Sequence, residues 1–161
     1  MVTEKEIWGY LEDVFDPEVP VLTVVDLGVV RSVELVDNGC KIVITPTYSG
    51  CPAMKRIEDD IIEKMEEKGV ANTEVELVLA PAWTTDWITE EGKNKLRDYG
   101  IAPPQDEPDK SVLFADPIVV PCPKCKSKNT RLISQFGSTA CKAHYQCNDC
   151  LEPYDYFKCL R

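Results

Sequence analysis

Residues 45–65 read TPTYSGCPAMKRIEDDIIEKM, and they predict the end of a strand, a cysteine-bearing loop and a helix. From residue 52 to residue 68, apolar side chains recur at the spacing that puts them on one face of a helix. They are Met54, Ile57, Ile61 and Met65, with Ala53 and Ile62 at the margins. Pro52 suits the first helical position and Gly69 the C-terminal cap. This segment is therefore the expected centre of the fold.

Two further elements are predicted on the N-terminal side of this helix. Residues 4–15, EKEIWGYLEDVF, carry an apolar stripe of helical period, and the prolines of DPEVP at 16–20 stop that helix. The stripe consists of Ile7, Trp8, Leu11, Val14 and Phe15. The runs VRSVELV and CKIVITP flank Asp37-Asn38-Gly39, which is typical of the turn in a β-hairpin.

The segments that follow the central helix complete an α+β domain. TEVELVLAP at 73–81 alternates Val75, Leu77 and Leu79 on one side, so it predicts a third strand. A tryptophan-bearing loop then leads into a short helix over 89–99. Helix, hairpin, helix, strand and helix together indicate a small sheet of three or more strands packed with helices.

Composition and charge restrict the class of protein. The chain has 161 residues, 43% of them hydrophobic and 29% charged, as in folded domains. No apolar run approaches the ~20 residues of a membrane helix, and the N-terminus does not resemble a signal peptide. We therefore expect a cytoplasmic location. In a reducing cytoplasm the eight cysteines favour metal or redox chemistry over disulfides.

The net charge of −10 is unevenly distributed. Residues 121–161 carry seven Lys or Arg and three Asp or Glu, which leaves −14 for residues 1–120. An acidic body disfavours nucleic acid, and a tail of +4 is too weakly basic to make DNA the expected partner.

Two CxxC pairs near the C-terminus predict a metal site. Cys122-Pro-Lys-Cys125 and Cys147-Asn-Asp-Cys150 are separated by 21 residues. Each short turn can aim two sulfurs at one point, and two turns complete a tetrahedral site that suits Zn²⁺. Short alternating runs between the pairs favour an all-β zinc ribbon. About forty residues bury too little core to fold alone, so the metal should supply much of the stability.

Iron is the alternative metal for this thiol quartet, as in rubredoxin-type sites. Zinc is favoured because the glycine that commonly follows each iron-binding pair is replaced by Lys126 and Leu151. Three further residues have two interpretations. Cys141 and Cys159 either pack or take part in metal chemistry, and His144, the one histidine, is interpreted as a surface or packing residue rather than a ligand.

Cys51 differs from the other cysteines because it stands alone at the mouth of a helix. Amide groups and the helix dipole there favour an anion, so we expect its thiol to ionise readily and to act as a nucleophile or metal ligand. Nearby hydroxyls come from Thr45, Thr47, Tyr48 and Ser49. The alternative is a small residue buried under the sheet, as we expect for Cys40 within its strand.

The longer motifs resemble a known family. DPEVPVLTVVDLGVV, TPTYSGCPAMKRIEDDI and PAWTTDWITEEGKNKLRDYGIAPP are similar, in order, to the signatures of the iron–sulfur assembly domain of SufT-type factors. The run SQFGSTACKAHYQCNDCLEPYDYFKCLR resembles the C-terminal extension of one branch, the PaaD proteins of phenylacetate degradation. The resemblance covers nearly the whole chain.

This resemblance implies an organisation and a set of site residues. It indicates an iron–sulfur assembly domain over 1–102, a proline- and acid-rich linker over 103–118 and a zinc ribbon over 119–161. The implied cluster-binding or transfer residue is Cys51, surrounded by the motif positions Asp16, Glu18, Asp26, Thr84, Thr85, Asp86 and Trp87. The implied ribbon ligands are Cys122, Cys125, Cys147 and Cys150, and Cys141 and Cys159 also match cysteines of the PaaD tail.

The implied function is that of an accessory protein, not of an enzyme. It would mature an iron–sulfur centre of the multicomponent phenylacetyl-CoA epoxidase, in the reductase component, by holding a transient cluster. Its partners would be the cluster recipient and scaffold proteins, and a homo-oligomer is left open.

Two other functions are alternatives to this one. The first is a zinc-ribbon adaptor that binds a partner protein without cluster chemistry. The second is a thiol enzyme using Cys51, but the one histidine that could act as base lies 93 residues away in the other module. An oxygenase subunit of the helical diiron type is excluded, because the chain has no Glu-x-x-His pair.

Overall fold

The computed structural model describes residues 1–48, 50–105 and 118–158. The chain divides into two compact units. The first comprises Met1–Trp83 and Trp87–Gly92, and the second comprises Thr84–Asp86 and the residues from Lys93 onward. Most of the predicted linker lies outside the described residues, as do Ser49 and Cys159.

The first unit contains a mixed three-stranded sheet and its helices. The elements are α1 (Glu4–Leu11), β1 (Val30–Val36), β2 (Gly39–Ile44), α2 (Ala53–Glu67) and β3 (Thr73–Leu77). A 3₁₀ turn (Thr85–Trp87) and α3 (Glu90–Tyr99) follow, and each has residues in both units. The strand order is β1-β2-β3, with β1 antiparallel and β3 parallel to β2. The predicted hairpin, central helix and third strand are confirmed, and the predicted α+β class with them.

The core of this unit forms between the two helices and the middle strand. The stripe predicted for α2 is buried, and so are Ile7 and Leu11 of α1. On β2, Cys40 and Ile42 are 0% exposed, so the interpretation of Cys40 as a core residue is confirmed. Burial of each large aliphatic side chain contributes about 1.5–3 kcal/mol, so the α2 stripe is a main source of stability.

The N-terminal helix is shorter than predicted. Thr3 and Glu6 form a capping box at its start, and the helix ends at Leu11 instead of continuing to residue 15. Phe15, predicted on the apolar stripe, is 50% exposed and pairs instead with Thr23 in an antiparallel bridge. The chain turns back here because the prolines disfavour helix and the Asp16 amide donates to the Leu22 carbonyl.

The third strand also differs from its expected form. The strand ends at Leu77, although the Val78 amide still donates to the Ile44 carbonyl at 2.9 Å. Val75 is half-buried, but Leu77 and Leu79 are 50% and 59% exposed, so most of the alternating apolar side is not core. Since β3 is an edge strand, its side chains have a neighbouring strand on one flank only.

The second unit contains the predicted ribbon. Its antiparallel sheet has the order β4 (Thr130–Ser134), β5 (Lys142–Cys147), β6 (Pro153–Phe157). The core of this sheet includes the buried tyrosines Tyr145, Tyr154 and Tyr156, with Val120 and Ala143. Ala102 adds to the outer edge of β6, where its amide donates to the Asp155 carbonyl and its carbonyl accepts from the Phe157 amide, both at 2.9 Å.

Across the part of the chain that the structure describes, no helix combines the length and the apolar character needed to cross a bilayer.

A close contact between Gly28 and Trp87 makes glycine necessary at residue 28. Gly28 has a φ of 73°, and a Cβ there would lie 2.7 Å from the Cβ of Trp87. The Arg31 guanidinium carbon lies over the indole, 3.4 Å from the centroid of the Trp87 ring. These contacts fix Trp87 in the first unit.

We expect Gly28→Ala to lower the free energy of unfolding of the first unit by about 2 kcal/mol or more, because it adds a clash to backbone strain. Gly69→Ala is the matched control: its φ is 79°, but a Cβ there meets nothing within 4 Å. That change should cost only about 1 kcal/mol. All three tryptophans lie in the first unit, so urea unfolding followed by tryptophan fluorescence measures both. Equal costs would contradict the proposed role of the contact.

Candidate functional site

The ribbon brings the four cysteines of the CxxC pairs to one point. The Sγ atoms of Cys122, Cys125, Cys147 and Cys150 all lie within 4.8 Å of one another. The Cys122–Cys150 and Cys125–Cys147 sulfurs are 3.7 Å and 3.6 Å apart. Four sulfurs about 2.3 Å from a tetrahedral ion would be about 3.8 Å apart, so the donor set fits zinc.

Each pair lies on a turn whose closing residue has a left-handed backbone. Lys126 has a φ of 66° and Leu151 a φ of 63°. The Lys126 amide donates to the Cys122 carbonyl at 2.9 Å, and the Cys150 amide lies 3.5 Å from the Cys147 sulfur. These are the positions where glycine was absent from the sequence. The turns adopt glycine-like geometry regardless, so this absence does not distinguish zinc from iron.

The electrostatics of the four thiols require a cation. The Cys150 amide donates to Cys147 and is the main reason that the pKa of Cys147 falls to about 7. At Cys150, the Glu152 amide favours the thiolate, but desolvation and the three neighbouring thiols raise the pKa to about 12. Four thiolates at this spacing repel one another, so a bound ion must compensate them.

The other candidates in the ribbon do not join this group. Cys141 is 3% exposed, and its sulfur lies 3.0 Å from the Thr139 hydroxyl. His144 Nδ1 lies 3.4 Å from Asp155 Oδ1 on a partly exposed side chain. Neither residue is part of the four-thiol group, in agreement with the interpretation of His144. A role for Cys141 or Cys159 in cluster handling stays a prediction, and Cys159 lies outside the described residues.

Cys51 is half-buried on the loop between β2 and α2. Its amide donates to the Tyr48 carbonyl at 3.2 Å, and its carbonyl accepts from the Met54 amide at 3.3 Å. The helix begins at Ala53 with Pro52 as the N-cap, one residue later than the sequence predicted. The loop thus holds the thiol just outside the first turn of α2.

The expectation that this thiol ionises readily is wrong in direction. Burial raises the pKa of Cys51 above its ordinary value. Hydrogen bonds from the Ala53 amide and the Tyr48 hydroxyl favour the thiolate, but the negative charges of Glu18 and Asp16 oppose it. Residues 16–18 are distant in sequence, and their approach could not be read from the local pattern. At neutral pH the thiol is therefore mainly protonated.

The two buried aspartates of the N-terminal motifs organise their own loops. Asp16 Oδ1 accepts from the amides of Glu18 and Val19, both at 2.8 Å. Asp26 and Thr23 form a reciprocal pair, in which the Asp26 amide donates to the Thr23 hydroxyl at 3.0 Å and the Thr23 amide to Asp26 Oδ2 at 3.2 Å. The Asp26 carbonyl also accepts from the Thr89 amide at 2.9 Å, just before α3. Asp26 thus has a structural role that the motif did not reveal.

The threonine–aspartate motif belongs to the other unit. Thr85 is 3% exposed, and the Asp86 amide donates to the Thr84 hydroxyl at 3.1 Å. These three residues group with the second unit. Their assignment to the Cys51 site stays a prediction.

Sequence reasoning did not reveal the stacking of Arg31 or the burial of Thr45, which it had placed among the hydroxyls near Cys51. Arg31, which stacks on Trp87, has the pattern of an ordinary exposed strand residue. Thr45 is 1% exposed, and its hydroxyl has no hydrogen-bond partner in the described part of the chain. A buried polar atom of this kind depends on tertiary packing, so no local sequence signal identifies it.

Within the described ranges, the ribbon quartet is the one group of three or more His, Cys, Asp or Glu side chains arranged to hold a metal ion. Cys51 offers a single thiol. The two units therefore present sulfur in two forms, a closed four-thiol site and one open thiol.

The fold and the four-thiol site define an iron–sulfur assembly domain joined to a zinc ribbon. Residues 4–77 match the family described as iron–sulfur cluster assembly protein. Residues 106–158 match the PaaD zinc beta ribbon domain. A domain of unknown function, DUF59, from Bacillus anthracis has a similar solved structure, with a TM-score of 0.55 and 30% identity over 58% of this chain and 90% of that one.

Relatives extend the match to nearly the full chain. A protein of Escherichia coli (strain K12) is 51% identical over 155 residues, which is 96% of this chain and 92% of that protein. It is named, provisionally, as one of the subunits of 1,2-phenylacetyl-CoA epoxidase. A Porphyromonas gingivalis protein named as an Fe-S protein maturation auxiliary factor is 36% identical over 58% of this chain and 90% of its own length. The chain belongs to the PaaD family.

Removal of the ribbon metal should unfold the second unit and leave the first intact, because the bonds from the ion to the four sulfurs supply much of the stability of so small a core. We expect one metal ion per chain by elemental analysis. Chelation should collapse the amide NMR signals of residues 118–158 while tryptophan fluorescence stays native. Cys147→Ser should reproduce this loss, and Cys141→Ser should retain the metal. A ribbon that keeps its dispersed spectrum without metal would contradict the assignment.

Cys51 should react slowly with iodoacetamide at neutral pH, because its raised pKa leaves little thiolate, and faster as the pH rises. Glu18→Gln removes a negative charge, so it should lower the pKa of Cys51 and raise the rate at pH 7–8 about two- to fivefold. Peptide-level mass spectrometry isolates the rate of Cys51 from that of the other thiols. Glu12→Gln is the control, and an equal gain there would contradict a local effect of Glu18.

Proposed function

We propose that this protein is an iron–sulfur cluster assembly or transfer factor of cytoplasmic phenylacetate degradation. It matures a component of the 1,2-phenylacetyl-CoA epoxidase, namely the reductase, and does not act on the aromatic substrate. The observation that carries the proposal is Cys51, a half-buried open thiol beside two acidic residues, within a domain of the iron–sulfur assembly family.

The chemistry of Cys51 suits a temporary ligand. The thiol stays protonated at rest and loses its proton to solvent when iron, the substrate, binds to the sulfur. The negative charge of Asp16 and Glu18 holds the proton on the thiol at rest, and the same charge attracts the iron cation that replaces the proton. A single protein ligand binds weakly, so the iron or cluster can leave again for a recipient.

One thiol cannot hold a cluster alone. The remaining ligands must come from the recipient protein, a scaffold protein, a small thiol or a second copy of the chain. If a partner protein supplies the remaining ligands, the Cys51 site holds a cluster only while the two proteins are in contact, as transfer requires. Cys141 and Cys159 are the further candidates within the chain.

The ribbon has a different role in this proposal. Its four thiolates would hold a resident zinc ion, which compensates their charge and closes the fold of the second unit. A closed four-cysteine site leaves no open position, so it is structural rather than a donor of metal. Two kinds of relative support separate roles for the two units. A relative that matches 58% of this chain is named as a maturation factor, and the relative that matches nearly the full chain is named as an epoxidase subunit.

One observation favours a second candidate function. The four-thiol group is complete within the chain, whereas Cys51 belongs to no such group in the described residues. A zinc-ribbon adaptor would bind its partner protein without cluster chemistry. Such an adaptor would retain its function when Cys51 is replaced.

Anaerobic reconstitution with iron and sulfide distinguishes the two functions. We expect Cys51→Ser to reduce cluster loading and activation of the reductase at least tenfold, since it removes the iron ligand. Cys40→Ala is the matched control, a lone cysteine of the same unit that is 0% exposed. Loading is read from iron content and visible absorption. Undiminished loading and activation in Cys51→Ser would reject the transfer role and leave the adaptor.

A further inference from the structure

Among the described residues, the ribbon sheet has one covered edge and one open edge. Ala102 bonds to the outer edge of β6 through its amide and carbonyl. At the opposite edge, no strand of the described residues pairs with the outer side of β4. An open edge presents backbone N–H and C=O groups that can accept another strand.

One large apolar side chain, Ile133, lies exposed on the edge strand β4, and a second, Phe136, lies beyond the end of this strand beside Lys158. Ile133 on β4 is 50% exposed and Phe136, just after the strand, is 67% exposed. Ile133 lies at a β-bulge between Leu132 and Ser134, and Leu132, the residue before it, packs on the tyrosine core. The Lys158 ammonium lies 4.4 Å from the centroid of the Phe136 ring.

The charge along β4 is positive and uncompensated. Residues 118–158 include six Lys or Arg and three Asp or Glu. The three acids already have partners: Glu152 pairs with Lys124, Asp149 accepts from Ser127 and Asn129, and Asp155 contacts His144. By contrast, Lys126, Lys128 and Arg131 form no ion pair within the described part of the chain. These three cations precede or lie on β4.

We propose that the open edge of β4 binds an extended, acidic segment of a partner protein as an added strand. The backbone of the segment would pair with β4, an apolar side chain of the segment would cover Ile133, and its carboxylates would face Arg131, Lys126 and Lys128. The small net charge and the exposed apolar residues suit a protein segment rather than nucleic acid. This surface does not involve Cys51.

The test is an NMR titration of the full-length, metal-loaded chain with the capped heptapeptide EVEVELE. We expect saturable shifts at the amides of residues 130–136, and binding weakened at least threefold by about 0.3 M salt. Arg131→Glu should weaken binding about fivefold or more, and Ile133→Ser should do so as well. Matched controls in the first unit, Lys5→Glu and Leu77→Ser, should leave binding unchanged, as should Cys51→Ser. Metal content and the amide spectrum confirm that each variant is folded.

Four outcomes would overturn the proposal. The first three are shifts that map away from β4, equal binding of the cationic peptide KVKVKLK, and unchanged binding in Arg131→Glu. A fourth is occupation of the edge by a second copy, since β3, with the sequence TEVEL, has the same acidic alternation. Concentration-dependent dimers in sedimentation, abolished by Arg131→Glu, would assign the edge to self-association instead. Loss of cluster loading in Cys51→Ser with peptide binding intact separates this inference from the proposed function.

Discussion

The packing of α2 against α1 and β3 determines the position of the loop that carries Cys51. The buried stripe of α2 must face the apolar side of the sheet, so the loop from residue 45 to residue 52 is held between a strand end and a helix start. Cys51 lies in that loop, and its exposure is set by this constraint rather than by its own interactions. The turn around Asp16 adds the acidic surroundings, which are the carboxylates of Asp16 and Glu18.

The chain uses sulfur under two opposite electrostatic conditions. In the ribbon, backbone amides lower the pKa of Cys147 while the neighbouring thiols raise that of Cys150, a conflict that one bound cation removes. At Cys51, burial and two carboxylates keep the proton on the thiol. The four thiols of the ribbon retain their ion because the folded second unit is less stable without it. Cys51 belongs to no four-thiol group among the described residues, so under the proposed function its occupancy would depend on the supply of iron and not on folding.

Local periodicity and spacing were sufficient to predict the main elements. The period of α2, the Asn38 turn and the paired CxxC turns each depend on residues close in sequence. The predictions that were wrong or incomplete share a different cause. Phe15 leaves its helix and lies opposite Thr23 in an antiparallel bridge. Leu77 is exposed because β3 is an edge strand, and the acids near Cys51 come from another loop. Strand order and loop approach are tertiary properties, which no local pattern specifies.

The pairing of Ala102 with β6 has a consequence for the use of the ribbon as an independent module. The PaaD ribbon match begins at residue 106, beyond this pairing. A fragment that begins at residue 106 would have two unpaired sheet edges in place of one. Sheets with unpaired edges tend to aggregate. A ribbon fragment intended to fold on its own should therefore begin before Ala102, so that it includes the residue that pairs with β6.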